Sequence, residues 1–282
     1  MKNKKTLSIF IIFFCLLSIK LAIGEEIIFE TPEIEMYENG NILKAYKGGK
    51  AIIDNNTTII ADKFDYSKKT KILSAEGNVE IIDSLNKIIT QSNKIIYFKN
   101  DEKYFSEGKT KITIDNEYII NSKNVVIEIN QNLIYSDENT TANDGENNYY
   151  ITEKFRYLVK DKLFRGSNVS LKTNNKDKYF FEDVFVNLET KELHGKDLEV
   201  NFNNSTFGEE ENEPRLKGNK AFSNNDITTV SKGVFTTCKK RPDKKCPPWR
   251  IEAKEVKHNK NEKTIYYKKA WLKIYDIPVL YY

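Results

Sequence analysis

The sequence predicts an all-β protein of stacked two-strand repeats, each about 30 residues long, and three observations carry that prediction. Apolar side chains recur two apart, as Phe64 and Tyr66 do around Asp65, which places both on one face of a strand. β-branched and aromatic residues supply most apolar positions, with no sustained 3.6-residue period that would argue for helices. The pair Phe64/Tyr66 then returns as Ile95/Tyr97, Val125/Ile127, Phe155/Tyr157 and Val184/Val186, at steps of 31, 30, 30 and 29.

The clearest copy is Ala61 to Asp83, which reads strand, turn, strand. Lys68, Lys69 and Thr70 form the turn, and the second strand runs from Ile72 through Gly77 to Val79 and Ile81. Gly77 is read as a place free to bend or bulge. Gly108, Gly166 and Gly195 extend it as a ruler, with Glu138 in the expected third place. The matching second-strand pairs downstream are Ile112/Ile114, Val169/Leu171 and Leu198/Val200.

Two short strands cannot bury an apolar face alone, so neighbouring copies must stack and share a core. The period leaves open whether they coil as a solenoid or fold back as two sheets of a jelly roll, since both align one inward column per repeat. It also leaves open whether the inward pairs close on one another or line an open trough.

At the N-terminus, Lys2, Lys4 and Lys5 precede an apolar run from Leu7 to Ile19, and Ala22-Ile23-Gly24 supplies small residues before a cut. Residues 1–24 are expected to be a secretory signal peptide; the rival is an uncleaved anchor, for which the run is short of the ~20 residues a spanning helix needs. The segment holds four lysines and no acid. The chain has 45 Lys and Arg against 41 Asp and Glu, so the mature part carries 41 of each and no net charge. That argues against a nucleic-acid partner, which calls for concentrated positive charge.

Ile27-Ile28-Phe29, the turn at Glu38-Asn39-Gly40-Asn41 and Ala51-Ile52-Ile53 suggest one or two strands ahead of the first clear repeat, lying at an open edge of the stack. Between Asn203 and Pro214 an acidic insertion interrupts the pattern. Its Glu209-Glu210-Glu211 run is read as solvated loop in preference to a cation site, because adjacent carboxylates on irregular chain set no coordination geometry.

Little here suggests bond chemistry. The two histidines, His194 and His258, lie in no triad or zinc pattern, and there is no G-x-S-x-G, phosphate loop or dinucleotide glycine motif. The chain is therefore expected not to be an enzyme and to need no cofactor or metal. Once Cys15 leaves with the signal peptide, Cys238 and Cys246 are the remaining cysteines, in the proline-rich TTCKKRPDKKCPPW. In an oxidising compartment they are expected to form a disulfide, worth roughly 2 to 3 kcal/mol on the chain-entropy estimate.

Three C-terminal blocks carry a likeness: Gly233-Val234-Phe235-Thr236-Thr237-Cys238, Pro248-Trp249-Arg250-Ile251-Glu252-Ala253, and Ala270-Trp271-Leu272-Lys273-Ile274-Tyr275-Asp276-Ile277-Pro278-Val279-Leu280-Tyr281. They resemble the join between periplasmic domain and barrel in the LptD family of outer-membrane lipopolysaccharide-assembly proteins, also called the OstA or organic solvent tolerance family. The upstream repeats, Ala61 to Asp83 above all, look like that family's OstA-type jelly roll.

The resemblance implies a twisted, open jelly roll over residues 25–230, then a cysteine-containing linker and strands over 231–282 leading to a barrel that does not follow Tyr282 here. It implies export to the Gram-negative outer membrane with this part facing the periplasm. Lipopolysaccharide would arrive from a periplasmic bridge protein, docked by edge-strand augmentation, and pass to a barrel plugged by an outer-membrane lipoprotein. The inward pairs would then line the lipid groove, Phe64/Tyr66, Val79/Ile81, Ile95/Tyr97, Ile112/Ile114, Val125/Ile127, Phe155/Tyr157, Val169/Leu171, Val184/Val186 and Leu198/Val200. The family's cysteine near the mature N-terminus and its barrel pair are missing, so Cys238 would pair with Cys246 or with a barrel cysteine. The rival class is a secreted structural β-solenoid, an adhesin or scaffold carrying no lipid.

Overall fold

The computed structural model describes residues 26–204, 211–241, 247–259, 261–262 and 264–282. The expected signal peptide, Cys246 and most of the acidic insertion lie outside the described residues. The chain is 66% strand and 3% helix, an all-β, jelly-roll-like fold.

All paired strands run antiparallel, in one continuous hydrogen-bonded ladder. That separates the two architectures left open by the period, because a solenoid coils its strands in parallel whereas an antiparallel ladder turns back at each strand end. The long strands show how the roll forms. Ile72–Asp83 pairs through its first half with Lys63–Ser67 and through its second half with Thr57–Ala61. Lys103–Ile114 divides in the same way between Val126–Glu128 and Tyr118–Lys123. Each long strand thus crosses a lengthwise crease from a first leaf to a second. The repeat is a pair of creased strands, where the sequence pattern alone suggests two short straight ones.

The leaves face each other across their inward side chains. In the first leaf one row runs Tyr66, Leu73, Tyr97, Tyr104, Ile127, Ile134, Tyr157, Phe164, Val186, Leu193 through successive cross-strand partners. In the second leaf its counterpart runs Ile59, Ile81, Thr90, Ile112, Ile120, Ala142, Tyr150, Leu171, Tyr179, Val200. Burying each large apolar side chain in these rows contributes roughly 1.5–3 kcal/mol. Leu73 is wholly buried while Ile72 is half-exposed, so the inward register of this strand is 73, 75, 79, 81.

The crease corrects the glycine ruler. Gly77 and Gly108 sit at left-handed φ of 78° and 79°, and the register shifts beside each, so both belong to bulges. Gly166 and Gly195 stay in register, opposite Val184. Their true counterparts are Ala75, Ser106 and Ser136, all in the first-leaf row nearest the crease. Small residues are needed there because large side chains arrive from the other leaf: a Cβ on Gly166 would meet Val169 at 2.6 Å. The bulge position continues two residues later, as Asn168 and Asp197 at φ of 51° and 50°, residue types that tolerate the left-handed region.

Bending the ladder frees backbone carbonyls, and a seam of buried hydroxyls takes them up. Ser92 donates to the Lys109 carbonyl at 3.1 Å, Ser136 to Lys123 at 2.6 Å and Thr152 to Ser167 at 2.7 Å. Ser122 and Thr140 bond each other at 2.7 Å. Among the described residues, the N-terminal strands Ile28–Glu30 and Glu35–Tyr37 each pair on one side, with Gly49–Ile52 and Ile42–Ala45, which places them at an edge of the ladder. At the other end the strand Ile227–Thr236 runs across position 230, and the ladder continues to Ile277–Tyr281.

Candidate functional site: the space between the leaves

The candidate site is built in three layers, with the hydroxyl seam at the crease, apolar walls, and a mouth where the outer turns of the two leaves meet. Of the residues singled out in the sequence, all but Ile127 and Val186 are buried, and those two are half-buried against the core. The space is partitioned along the roll. Phe64, Tyr66, Val79, Ile81, Ile95 and Tyr97 pack in one cluster. Ile112, Ile114, Val125, Phe155 and Tyr157 form a second, and Val169, Val184, Leu198 and Val200 a third. Leu171 lies beside Val169 on the wall of a small cavity.

Among the described residues, small cavities lie between the leaves. One of about 60 Å³ has Tyr118, Ile120 and Tyr150 from the second leaf and Phe164, Val186 and Leu193 from the first in its wall. Another, about 80 Å³, lies among Ile81, Ile88, Tyr104, Ile127 and Ile134. The Tyr104 hydroxyl is buried without a hydrogen-bond partner among the described residues, although its ring stacks on Tyr97 at 4.4 Å between centroids.

Burial dominates the electrostatics of this interior. It pushes the phenols of Tyr97, Tyr157 and Tyr179 up to about 12 and those of Tyr104 and Tyr150 further. Tyr150 also donates to Asp144 at 2.8 Å. Neutral phenols add hydrogen-bonding capacity to the walls without adding charge.

Pattern reading overlooked Leu73, Tyr104, Ile120, Ile134, Phe164 and Phe181, which continue the inward rows. The signal for them was cross-strand register, which a one-strand pattern does not contain. The hydroxyl seam did leave a sequence trace, since Ser92, Ser122 and Thr152 recur at steps of 30.

Cys238 is half-buried with its Sγ 3.8 Å from the Trp249 carbonyl and forms no disulfide among the described residues; the expected partner Cys246 is outside them. Of the histidines, His194 packs its ring 5.0 Å from Phe222, and His258 is a ladder residue opposite Thr228 and Ile265. Glu211 bonds Lys239 at 3.0 Å. No protein-family model matches the sequence, and no curated protein matches it either.

Proposed function

We propose that this chain is a lipid carrier of the LptD/OstA kind, in which a periplasmic jelly roll accepts lipopolysaccharide from a bridge protein and passes it towards an outer-membrane barrel. One observation carries this reading: the first-leaf row of inward apolar and aromatic side chains passes from strand to strand along the roll, from Tyr66 to Leu193. A track of that kind offers acyl chains the same apolar contact at each step, so movement along it needs no bond chemistry. Direction must come from elsewhere in the pathway.

The open edges suit the proposed partners. Among the described residues Glu35–Tyr37 is paired on one side alone and exposes Met36 and Tyr37, as β-augmentation by a bridge protein requires. At the opposite end Ile277–Tyr281 is exposed throughout and apolar, the surface expected beside a barrel or its lipoprotein plug. The signal peptide over residues 1–24 and a location at the outer membrane, facing the periplasm, belong to the same proposal.

One observation favours the rival reading of a lipid-free structural scaffold: the leaves are closed, and Tyr157 is only 2% exposed. Site-specific photocrosslinking separates the two, with the probe at Tyr157 and an outward control at Arg156, whose guanidinium lies on the Tyr135 ring and bonds Asp137. A lipopolysaccharide adduct at 157 and none at 156 supports the carrier. No adduct at either position, in folded protein made by cells with lipopolysaccharide, supports the scaffold.

A further inference from the structure

The strand Lys103–Ile114 has one end on each leaf, and in a flat ladder those ends would stand roughly 35 Å apart. The creased roll instead brings outer turns of opposite leaves into contact. Lys191, in the turn before Leu193–Asn201 of the first leaf, reaches Glu117, in the turn before Tyr118–Lys123 of the second, at 2.5 Å. It also bonds the Tyr118 hydroxyl and lies over that ring, 4.7 Å from its centroid. One repeat earlier on the first leaf, Lys162 pairs with Asp115 at 3.6 Å. One turn of the second leaf, Asp115 to Glu117, is thus held by charge to two successive turns of the first.

The Lys191 contact lies over the apolar cavity of about 60 Å³. Tyr118 is both a wall of the cavity and a partner of Lys191, and Leu188 and Leu193, also in the wall, flank Lys191 in the chain. A volume of that size is about that of two water molecules, too small for an acyl chain. If the carrier reading holds, the leaves must part here before a chain can lie between them.

We infer that the Lys191–Glu117–Tyr118 and Lys162–Asp115 contacts form a charge-held latch across the mouth of the roll, which opens sideways to admit an acyl chain bearing an anionic headgroup. The inference rests on the carrier reading. Its logic is that Lys191 and Glu117 are both about two-fifths exposed, so their pairing is weak and reversible. An anionic headgroup would compete with Glu117 and Asp115 for the two lysines as its tail displaces the leaves. A latch of buried, fully desolvated charges would hold too firmly for such exchange.

The test uses the full chain, cis-parinaric acid as a fluorescent acyl probe, and purified lipid A as its competitor. The double variant Lys162→Met, Lys191→Met keeps both aliphatic stems and removes both charges. It is expected to take up the probe roughly two- to fivefold faster than wild type, the range that corresponds to weak exposed ion pairs. The exchange Glu117→Lys with Lys191→Glu should return the rate to that of wild type, and raised salt should speed wild type but not the double variant. Spin labels at Asn116 and Thr190, both exposed in the facing turns, should report a broadened distance in the double variant.

If wild type and the double variant take up probe at one rate and the label distance is unchanged, the latch is wrong and the carrier stands. If no form takes up probe while the label distance broadens, the leaves are latched but carry no lipid, which overturns the side entrance and the carrier together. Unaltered circular dichroism in every variant excludes unfolding as the cause.

Discussion

A methyl group on Gly195 would stand 2.4 Å from a ring carbon of Phe181, because that ring crosses the crease and lies directly on the glycine backbone. Phe181 is itself buried, and its ring is held parallel to that of Tyr179 within 8°. Gly195→Ala is therefore expected to cost about 1–3 kcal/mol by overpacking. Gly108 is the contrast: a methyl group there would have nothing within 4 Å, and its cost comes only from φ of 79°. Gly108→Ala should lose about 1–2 kcal/mol. Urea melts measure both, and a Phe181→Leu background should relieve Gly195→Ala but leave Gly108→Ala unchanged.

The buried tyrosines set an alkaline limit to stability. Burial raises the phenols of Tyr97, Tyr157 and Tyr179 from 10.0 to about 12, while in the unfolded chain they ionise near 10.0. A raised folded value favours the protonated form, so this stabilisation is complete below pH 10 and is lost as pH climbs towards 12. Titration of phenolate absorbance should show a steep late phase coincident with unfolding, as the buried phenols of Tyr97, Tyr157 and Tyr179 are released. Simple independent titration of all tyrosines near 10 would contradict the buried rows.

Charge placed inside the roll should act differently by position. Ile112 is wholly buried, and Ile112→Asp is expected to cost several kcal/mol and to prevent folding. Val186 is half-buried on the wall of the cavity, so Val186→Asp can hydrate its carboxylate and should fold with a lowered melting temperature. In that folded variant the carrier reading expects lipid crosslinking at Tyr157 to disappear. Crosslinking that persists at wild-type yield would mean lipid does not travel between the leaves.

The C-terminal strands carry their own acid-sensitive tie. Glu252 accepts from Arg250 Nε at 2.6 Å and from Lys273 Nζ at 2.6 Å, and Arg250 also bonds Asp276. Partial burial alone would raise the Glu252 carboxyl, but the bonds from Lys273 and Arg250 outweigh it and hold the group below its ordinary 4.5. A lowered folded value stabilises above pH 4.5, and that contribution disappears as pH falls through the folded value. Hydrogen exchange in Thr264–Ile274 should accelerate below pH 4.5 in wild type, and Glu252→Gln should show the fast exchange already at neutral pH.

Alternation of apolar side chains made the columns of Phe64/Tyr66, Ile95/Tyr97 and Phe155/Tyr157 legible, because a strand's two faces follow from its own residues two by two. The 30-residue step likewise announced that copies must stack. Registers that pass through several strands were not legible in this way. Gly166 and Gly195 look like successors of Gly77 in a one-dimensional ruler, yet they occupy the place of Ala75, since only cross-strand pairing reveals which residue lies next to the crease. The seam of Ser92, Ser122 and Thr152 was visible as a period but not as a structure, because a hydroxyl's role depends on which carbonyl the bend leaves free. Lys191 and Glu117 lie furthest from any local pattern, at 74 residues of separation. Alternation specifies which face of each strand is apolar; the crease and twist accumulated over many strands decide which turns meet, and with them where the roll is held shut.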